Sequence, residues 1–234
     1  MADRPYTILS CGISLDGYLD NAKRSRLILS NDADLDRVDG VRAGCDAIMV
    51  GAATVRNDNP RLLVKSPQRR AERVASGLPC TPTKVTVTRS GRLDPHAAFF
   101  STGSCNKFVY CPADLVTTLT EHLGPLATVV GLGSGTGLRE VAEDLSARGV
   151  NRLMVEGGGT LHTQFLTADL ADELQLVVAP LFVGDSRARR FVSNGRFPWQ
   201  GERRAELAEA RPIGDVVLMR YALSARFAHE GAAP

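Results

Sequence analysis

The chain has 234 residues, of which 44% are hydrophobic, and its formal net charge is +2. This composition supports a sizeable core in one large or two small domains and excludes disorder of the whole chain. The basic residues are scattered, which gives no electrostatic case for binding nucleic acid or an anionic membrane. The start of the sequence lacks a signal-peptide pattern, and no apolar run approaches the roughly 18–20 residues of a membrane span. We therefore expect a cytoplasmic protein.

Seven short apolar runs, separated by turn signals, predict β-strands. They cover Tyr6–Cys11, Asp46–Val50, Lys84–Thr88, Lys107–Tyr110, Thr128–Val130, Arg152–Val155 and Leu174–Ala179. Helical patterns lie between them at Asp32–Ala43, Ala113–His122 and Leu138–Arg148. Strands that alternate with helices predict an α/β fold with a mostly parallel central sheet flanked by helices.

Two later patterns complete the predicted elements. Arg204–Ala210 and Asp215–Leu223 flank Pro212-Ile213-Gly214, which predicts a C-terminal antiparallel hairpin at a sheet edge. Lys65–Pro82 has no clear periodicity and carries four basic residues, so we expect a surface loop there. That loop is either simply solvated or faces a phosphate.

Cysteine and histidine patterns give no sign of a disulfide framework or a metal centre. The five cysteines are widely spaced and odd in number, which argues against a set of disulfides. No Cys-x-x-Cys pair occurs, and the four histidines form no metal-binding spacing. The sequence therefore predicts no metal site.

The stretch NRLMVEGGGTLHTQ, residues 151–164, carries the strongest chemical signal. Gly157–Gly159 follow a predicted strand and precede a possible helix, whose first N–H groups have no partner within the helix and favour an anion. Glu156, at the end of the strand, needs a donor if it is buried, and amide or amino groups of a heterocycle would serve. The alternatives are a tight turn without a ligand and an acid that accepts from nearby backbone amides. Gly131–Gly137 is a second glycine-rich loop before a predicted helix, and it is either another phosphate cradle or a flexible lead-in.

Two other predicted strand ends carry polar residues beside glycines. After Gly51 the chain continues through Thr54 to Asp58, where Pro60 forces Asn59 out of the α region. Thr54 could hold a phosphate, and Asp58 could accept from a sugar hydroxyl or only from its own turn. Residues 12–17, GISLDG, are consistent with either a binding loop or an Asx-type turn.

Four segments, in this order, resemble the pyrimidine reductases of riboflavin biosynthesis, which belong to the dihydrofolate-reductase-like superfamily. The segments are ISLDG (13–17), RAGCDAIMVGAATVRNDNPRL (42–62), VEGGGTL (155–161) and DELQLVVAPLFVG (172–184). The resemblance implies one reductase domain over residues 1–234, with a core from about 6 to 223 and no attached deaminase. It also implies an NADPH-dependent oxidoreductase that converts the ribosyl group of a ribosylaminopyrimidine 5′-phosphate to ribityl, as does 5-amino-6-(5-phosphoribosylamino)uracil reductase.

The resemblance also implies roles for particular residues. Glu156 is the expected catalytic residue and hydrogen-bonds the pyrimidine. The expected NADPH-binding residues are Gly12, Ile13, Leu27, Thr54, Asp58, Ser90, Gly157, Gly158, Gly159, Thr160 and Leu161. The substrate and its phosphate are expected at Ser25, Arg42, Leu62 and Lys65, together with Glu156. Leu27 replaces an aromatic residue common in the family, and Lys65 replaces an arginine, which gives a point charge instead of a bidentate fork.

Two alternative functions stay open on the sequence. A pocket relaxed at Leu27 and Lys65 could accept a pterin, dihydrofolate or a natural-product intermediate. A non-catalytic nucleotide-binding protein with the same fold is the other alternative. The family implies a homodimer, and late aromatic residues could pack against a partner, although we expect Phe182 to be buried within its own chain.

Overall fold

The computed structural model describes residues 4–23, 27–133 and 137–230. The strands are β1 (Tyr6–Ser14), β2 (Ala47–Gly51), β3 (Thr83–Val87), β4 (Lys107–Pro112), β5 (Thr128–Leu132), β6 (Arg152–Gly157), β7 (Glu173–Ala179), β8 (Glu206–Ile213) and β9 (Val216–Ala222). The α-helices are α1 (Asp32–Ala43), α2 (Ala52–Asp58), α3 (Pro67–Ala75), α4 (Ala98–Ser101), α5 (Val116–Leu123), α6 (Leu138–Ala147), α7 (Gly159–Thr167) and α8 (Phe227–Glu230). Short 3₁₀ helices cover Ala113–Leu115 and Gly124–Leu126.

The chain divides into two compact units, and β6 contributes residues to both. The first unit comprises residues 38–154 with the first five residues, and its strand order is β5-β4-β3-β2-β6. The pairs β2–β3, β3–β4 and β4–β5 are parallel. Its core is built from apolar side chains of these strands and of α2, α4 and α5, including Ile48, Val55, Phe99, Val109 and Leu123. Burying each of these side chains contributes about 1.5–3 kcal/mol before entropy is counted.

The second unit comprises residues 6–37 and 155–234, and its strand order is β6-β1-β7-β9-β8. Strands β1 and β7 are parallel, whereas β7–β9 and β8–β9 are antiparallel. The predicted C-terminal hairpin is therefore confirmed, with its turn at Gly214-Asp215 rather than at Pro212–Gly214. Pro212 pairs with Val217 inside β8, and a proline is tolerated there because β8 is the edge strand.

The predicted strands and helices are confirmed, with shifts of up to a few residues at their ends. The prediction of a structureless loop over Lys65–Pro82 is wrong, because α3 occupies Pro67–Ala75. Its N-cap is Ser66, whose hydroxyl accepts from the amide of Arg69, and Pro67 stands at the first helical position. This is a standard helix start, since proline has no N–H to leave unsatisfied there.

Candidate functional site

The turn between β6 and α7 is built on glycines with unusual backbone angles. Gly157 has φ +136° and Gly158 has φ +40°, in a region that residues with a Cβ rarely adopt. Glu156 is half-buried and is the last residue before these glycines in β6. A carboxylate is thus held at a strand end beside a backbone that can approach another molecule closely.

The third glycine of the turn has a different cause. A Cβ added at Gly159 would lie 2.3 Å from the carbonyl oxygen of Arg190, and 3.2 Å from that of Phe191. The chain at residues 190–191 therefore passes so close to the start of α7 that only glycine fits at position 159. The alternative of a tight turn without a ligand is therefore enough to explain the glycine at position 159.

The first amides of α7 are the backbone donors next to the glycine turn. The carbonyl of Gly158 accepts from Leu161 and His162 at 2.9 and 3.1 Å, and the amides of Gly159 and Thr160 have no acceptor among the described residues. Unpaired amides and the positive end of the helix dipole favour a phosphate. Thr160 is exposed, whereas the side chain of Leu161 is buried, so Leu161 can offer only its backbone.

The strand next to β6 carries the predicted residues Gly12 and Ile13, both half-buried near the end of β1. A Cβ at Gly12 would lie 3.3 Å from the Cβ of Leu29, so the segment after Leu27 packs closely on this strand. Leu27 is half-buried, and its amide donates to Asp20 at 2.8 Å. The predicted substrate residue Ser25 lies outside the described residues.

The loop after β1 forms a turn. Asp16 accepts from the hydroxyl of Ser14 and from the amides of Val183 and Gly184. The Ser14 hydrogen bond is the main cause that lowers the pKa of Asp16 to about 2. Asp16 thus joins the loop after β1 to the loop after β7, which accounts for this acid as a structural residue.

In the first unit, two predicted cofactor segments leave the same edge of the sheet. Gly51 pairs with Val87 at the carboxyl ends of parallel β2 and β3. Thr54 is half-buried in α2 beyond one strand, and Ser90 is exposed beyond the other. Carboxyl ends of neighbouring parallel strands are where α/β sheets bind ligands. Asp58 is exposed at the last position of α2.

The same unit brings three predicted substrate residues together. Arg42, near the end of α1, donates to the carbonyl of Leu63 at 3.1 Å. Leu62 is buried and has φ +50°, a strained conformation for a branched side chain. Lys65 is exposed three residues further on. The segment from Leu62 to Lys65 is therefore anchored on α1 with one lysine directed to solvent.

Sequence reasoning missed the residue that holds this segment. Asp39 is 4% exposed on α1, and its carboxylate accepts from the amides of Lys65 and Ser66 and pairs with Arg69 at 3.1 Å. The only local signal was Ser66-Pro67, which is typical of a helix start. Nothing in the sequence links Asp39 to a segment 26 residues away.

Two further polar groups are buried without a predicted role. Lys84, fully buried in β3, donates to the carbonyls of Phe99 and Thr102 at 3.1 and 2.6 Å. His162, fully buried in α7, has no partner for either ring nitrogen among the described residues.

The described residues contain no helix long and apolar enough to cross a membrane. The same described ranges hold no cluster of three or more acid, histidine or cysteine side chains arranged for a metal ion.

The fold is that of a dihydrofolate-reductase-like α/β protein. The structure is similar to that of a diaminohydroxyphosphoribosylaminopyrimidine deaminase/5-amino-6-(5-phosphoribosylamino)uracil reductase from Thermotoga maritima, with a TM-score of 0.76 at 19% identity. The match covers 94% of this chain and 56% of the Thermotoga chain. The structure also matches dihydrofolate reductase from Enterococcus faecalis, with a TM-score of 0.53 at 12% identity, over 93% of this chain and 95% of that one. The predicted fold class is confirmed.

The chain belongs to the RibD C-terminal domain family, whose model matches residues 5–219. It is 36% identical to 2,5-diamino-6-ribosylamino-4(3H)-pyrimidinone 5′-phosphate reductase of Archaeoglobus fulgidus, over 77% of this chain and 83% of the relative. It is 34% identical to the reductase of the same name from Methanothermobacter thermautotrophicus, over 93% of this chain and 98% of the relative. The predicted family is confirmed. The roles of individual residues stay predictions.

Proposed function

We propose that this protein is an NADPH-dependent reductase that converts the ribosyl group of 2,5-diamino-6-ribosylamino-4(3H)-pyrimidinone 5′-phosphate to ribityl. The names of the two archaeal relatives support the diamino substrate over the amino-uracil form. The observation that carries the proposal is the β6–α7 turn, where Glu156 directly precedes two glycines of positive φ and a helix start.

The residues present fit a nicotinamide dinucleotide. Gly159 and Thr160 offer amides at the positive end of α7, and Thr54 and Ser90 lie beyond neighbouring strand ends in the first unit. These groups would hold phosphate and sugar oxygens through hydrogen bonds. When bound, NADPH supplies the hydride.

The protein's own contribution is positioning and electrostatics. Glu156 would accept from the amino and ring N–H groups of the pyrimidine and so fix its orientation. Arg42 and Lys65 would neutralise the 5′-phosphate, Arg42 from the end of α1 and Lys65 from the exposed segment that Asp39 holds.

The proposal is tested by the loss of NADPH absorbance in separate assays with the diamino-pyrimidinone phosphate, the amino-uracil phosphate and dihydrofolate. We expect turnover with the diamino substrate at the highest kcat/KM. A higher kcat/KM with dihydrofolate would contradict the proposal. Parallel assays with NADH test the choice of cofactor, and a higher kcat/KM with NADH would contradict the NADPH assignment.

We also propose a cytoplasmic homodimer. Phe182 supports the dimer because its side chain is 74% exposed, contrary to the prediction that it is buried within its own chain. Leu207 and Val217 on the C-terminal hairpin are also exposed, at 54% and 43%. Light scattering during size-exclusion chromatography measures the mass, and a monomer at micromolar concentration would contradict the dimer.

The cytoplasmic location follows from the family's biosynthetic role and is tested by cell fractionation.

A further inference from the structure

His162 presents an unexplained polar group beneath the β6–α7 turn. It lies in the first turn of α7, its side chain is fully buried, and neither ring nitrogen has a hydrogen-bond partner among the described residues. Burial lowers its pKa to about 4, so the ring is neutral near pH 7 and carries one N–H donor and one acceptor nitrogen. Buried polar groups in native proteins nearly always have a partner, so this ring calls for one.

Two contacts define where the imidazole points. Its ring meets the ring of Phe191 edge-to-face, with 5.5 Å between the centroids. Its Nε2 lies 3.9 Å from the position that a Cβ on Gly157 would occupy. The polar edge of the ring therefore faces the glycine turn, while its other contact is apolar.

The Gly157–Gly158 peptide is the part of this turn whose orientation a hydrogen bond can fix. It lies between two glycines of positive φ, so its plane can rotate at a lower cost than a peptide between residues with a Cβ. A fixed donor or acceptor next to such a peptide selects one orientation. That orientation decides whether the N–H of Gly158 or the carbonyl of Gly157 faces the space beside the start of α7.

We propose that His162 is a positioning residue whose imidazole hydrogen-bonds the Gly157–Gly158 peptide through one enclosed water molecule. Its effect on ligands rests on the proposed function, whereas its effect on the turn does not. The ring touches no ligand and acts through the backbone, which distinguishes it from Glu156. An enclosed water is compatible with a buried polar site, since such waters bridge groups that lack protein partners.

Three variants test this role. His162→Leu removes both nitrogens, and His162→Gln restores a donor and an acceptor near the position of Nε2. Phe165→Leu is the matched control, because Phe165 is fully buried in the same helix and has no polar atom. For each variant, NMR measures amide hydrogen exchange at Gly157 and Gly158 without ligand. Calorimetry measures NADPH affinity, and steady-state assays give KM and kcat.

We expect His162→Leu to speed exchange at the two glycines and to weaken NADPH binding about three- to tenfold, the loss of one ordinary hydrogen bond. His162→Gln should recover most of both effects, and Phe165→Leu should lower the melting temperature without either effect. Unchanged exchange in His162→Leu, no recovery in His162→Gln, or the same effects in Phe165→Leu would each overturn the proposal. If the wild type fails to bind NADPH, the proposed function fails, and the exchange data still decide the role of His162.

Discussion

Replacing Asp39 with asparagine should loosen the segment that runs from Leu62 into α3. The buried carboxylate holds the amides of Lys65 and Ser66 and pairs with Arg69. Burial alone would raise the pKa of Asp39, but the two amides and the guanidinium outweigh it, so the pKa lies below its usual range. The ionised form is therefore the one that holds the segment at neutral pH.

The size of the effect follows from the hydrogen bonds lost. Asparagine keeps the shape of Asp39 but has one acceptor oxygen, so one of the two amides would face an NH₂ group. A hydrogen bond to a charged group contributes about 1.5–3 kcal/mol, and a buried unmet donor costs about 1–3 kcal/mol. The Arg69 side chain is 25% exposed, so loss of its ion pair adds less than about 1 kcal/mol. We expect Asp39→Asn to lower the free energy of unfolding by about 2–4 kcal/mol.

Urea unfolding measures that loss, and steady-state kinetics should show KM for the phosphorylated pyrimidine raised about tenfold with NADPH affinity unchanged. Glu143→Gln, an acid-to-amide change on the exposed face of α6, should shift the free energy of unfolding by no more than about 0.5 kcal/mol. The stabilisation by Asp39 is present above the unfolded pKa of about 3.9 and is lost as pH falls through the lower folded pKa. The reasoning is refuted if Asp39→Asn leaves both the unfolding free energy and KM at wild-type values.

Three further predictions concern Glu156, Gly159 and Lys84. Glu156→Ala should lower kcat/KM about 10- to 150-fold with NADPH affinity near wild type, and an equal loss of both would contradict its separate role. Gly159→Ala should lower the free energy of unfolding by about 1–3 kcal/mol, because the added Cβ would lie 2.3 Å from the Arg190 carbonyl oxygen. Gly44→Ala is the control, because the nearest atom to its added Cβ is 3.6 Å away. Equal losses of stability in the two variants would argue against the clash. Desolvation lowers the pKa of Lys84 to about 8 in the folded protein, whereas the pKa of lysine in the unfolded chain is about 10.4. Between these two pH values the unfolded chain binds more protons than the folded protein. In that pH window the free energy of unfolding of the wild type should rise, relative to that of Lys84→Met, by up to about 1.4 kcal/mol per pH unit. Urea unfolding at several pH values measures both proteins, and the same pH dependence in both would contradict the prediction.

Helix α3 shows the limit of reading periodicity. The pattern predicted α1 with both ends correct, because acids begin it and a glycine follows it. Helix α3 gave no apolar stripe, since the side chain it buries is Arg73, which donates to the carbonyls of Ala43 and Cys45. A helix that buries a guanidinium among carbonyls cannot be found by counting apolar residues.

Phe182 shows that hydrophobicity does not decide burial. The sequence places it just after an apolar strand, and on that ground it was expected in the core. The structure leaves its side chain 74% exposed. Whether an apolar residue beyond a strand end is covered depends on what other segments reach it, which no local pattern specifies.

The amino-acid sequence by itself determined the alternation of strands and helices, the position of Glu156 at a strand end and the glycines that follow, because these depend on local periodicity and backbone freedom. Only the tertiary structure decided why position 159 must be glycine, since the Arg190 carbonyl that excludes a side chain lies 31 residues further along the chain. It likewise decided that Asp39 holds Lys65 and that His162 lies buried against the turn. Contacts between distant segments follow from how the whole chain packs, so their energies cannot be assigned before the fold is known.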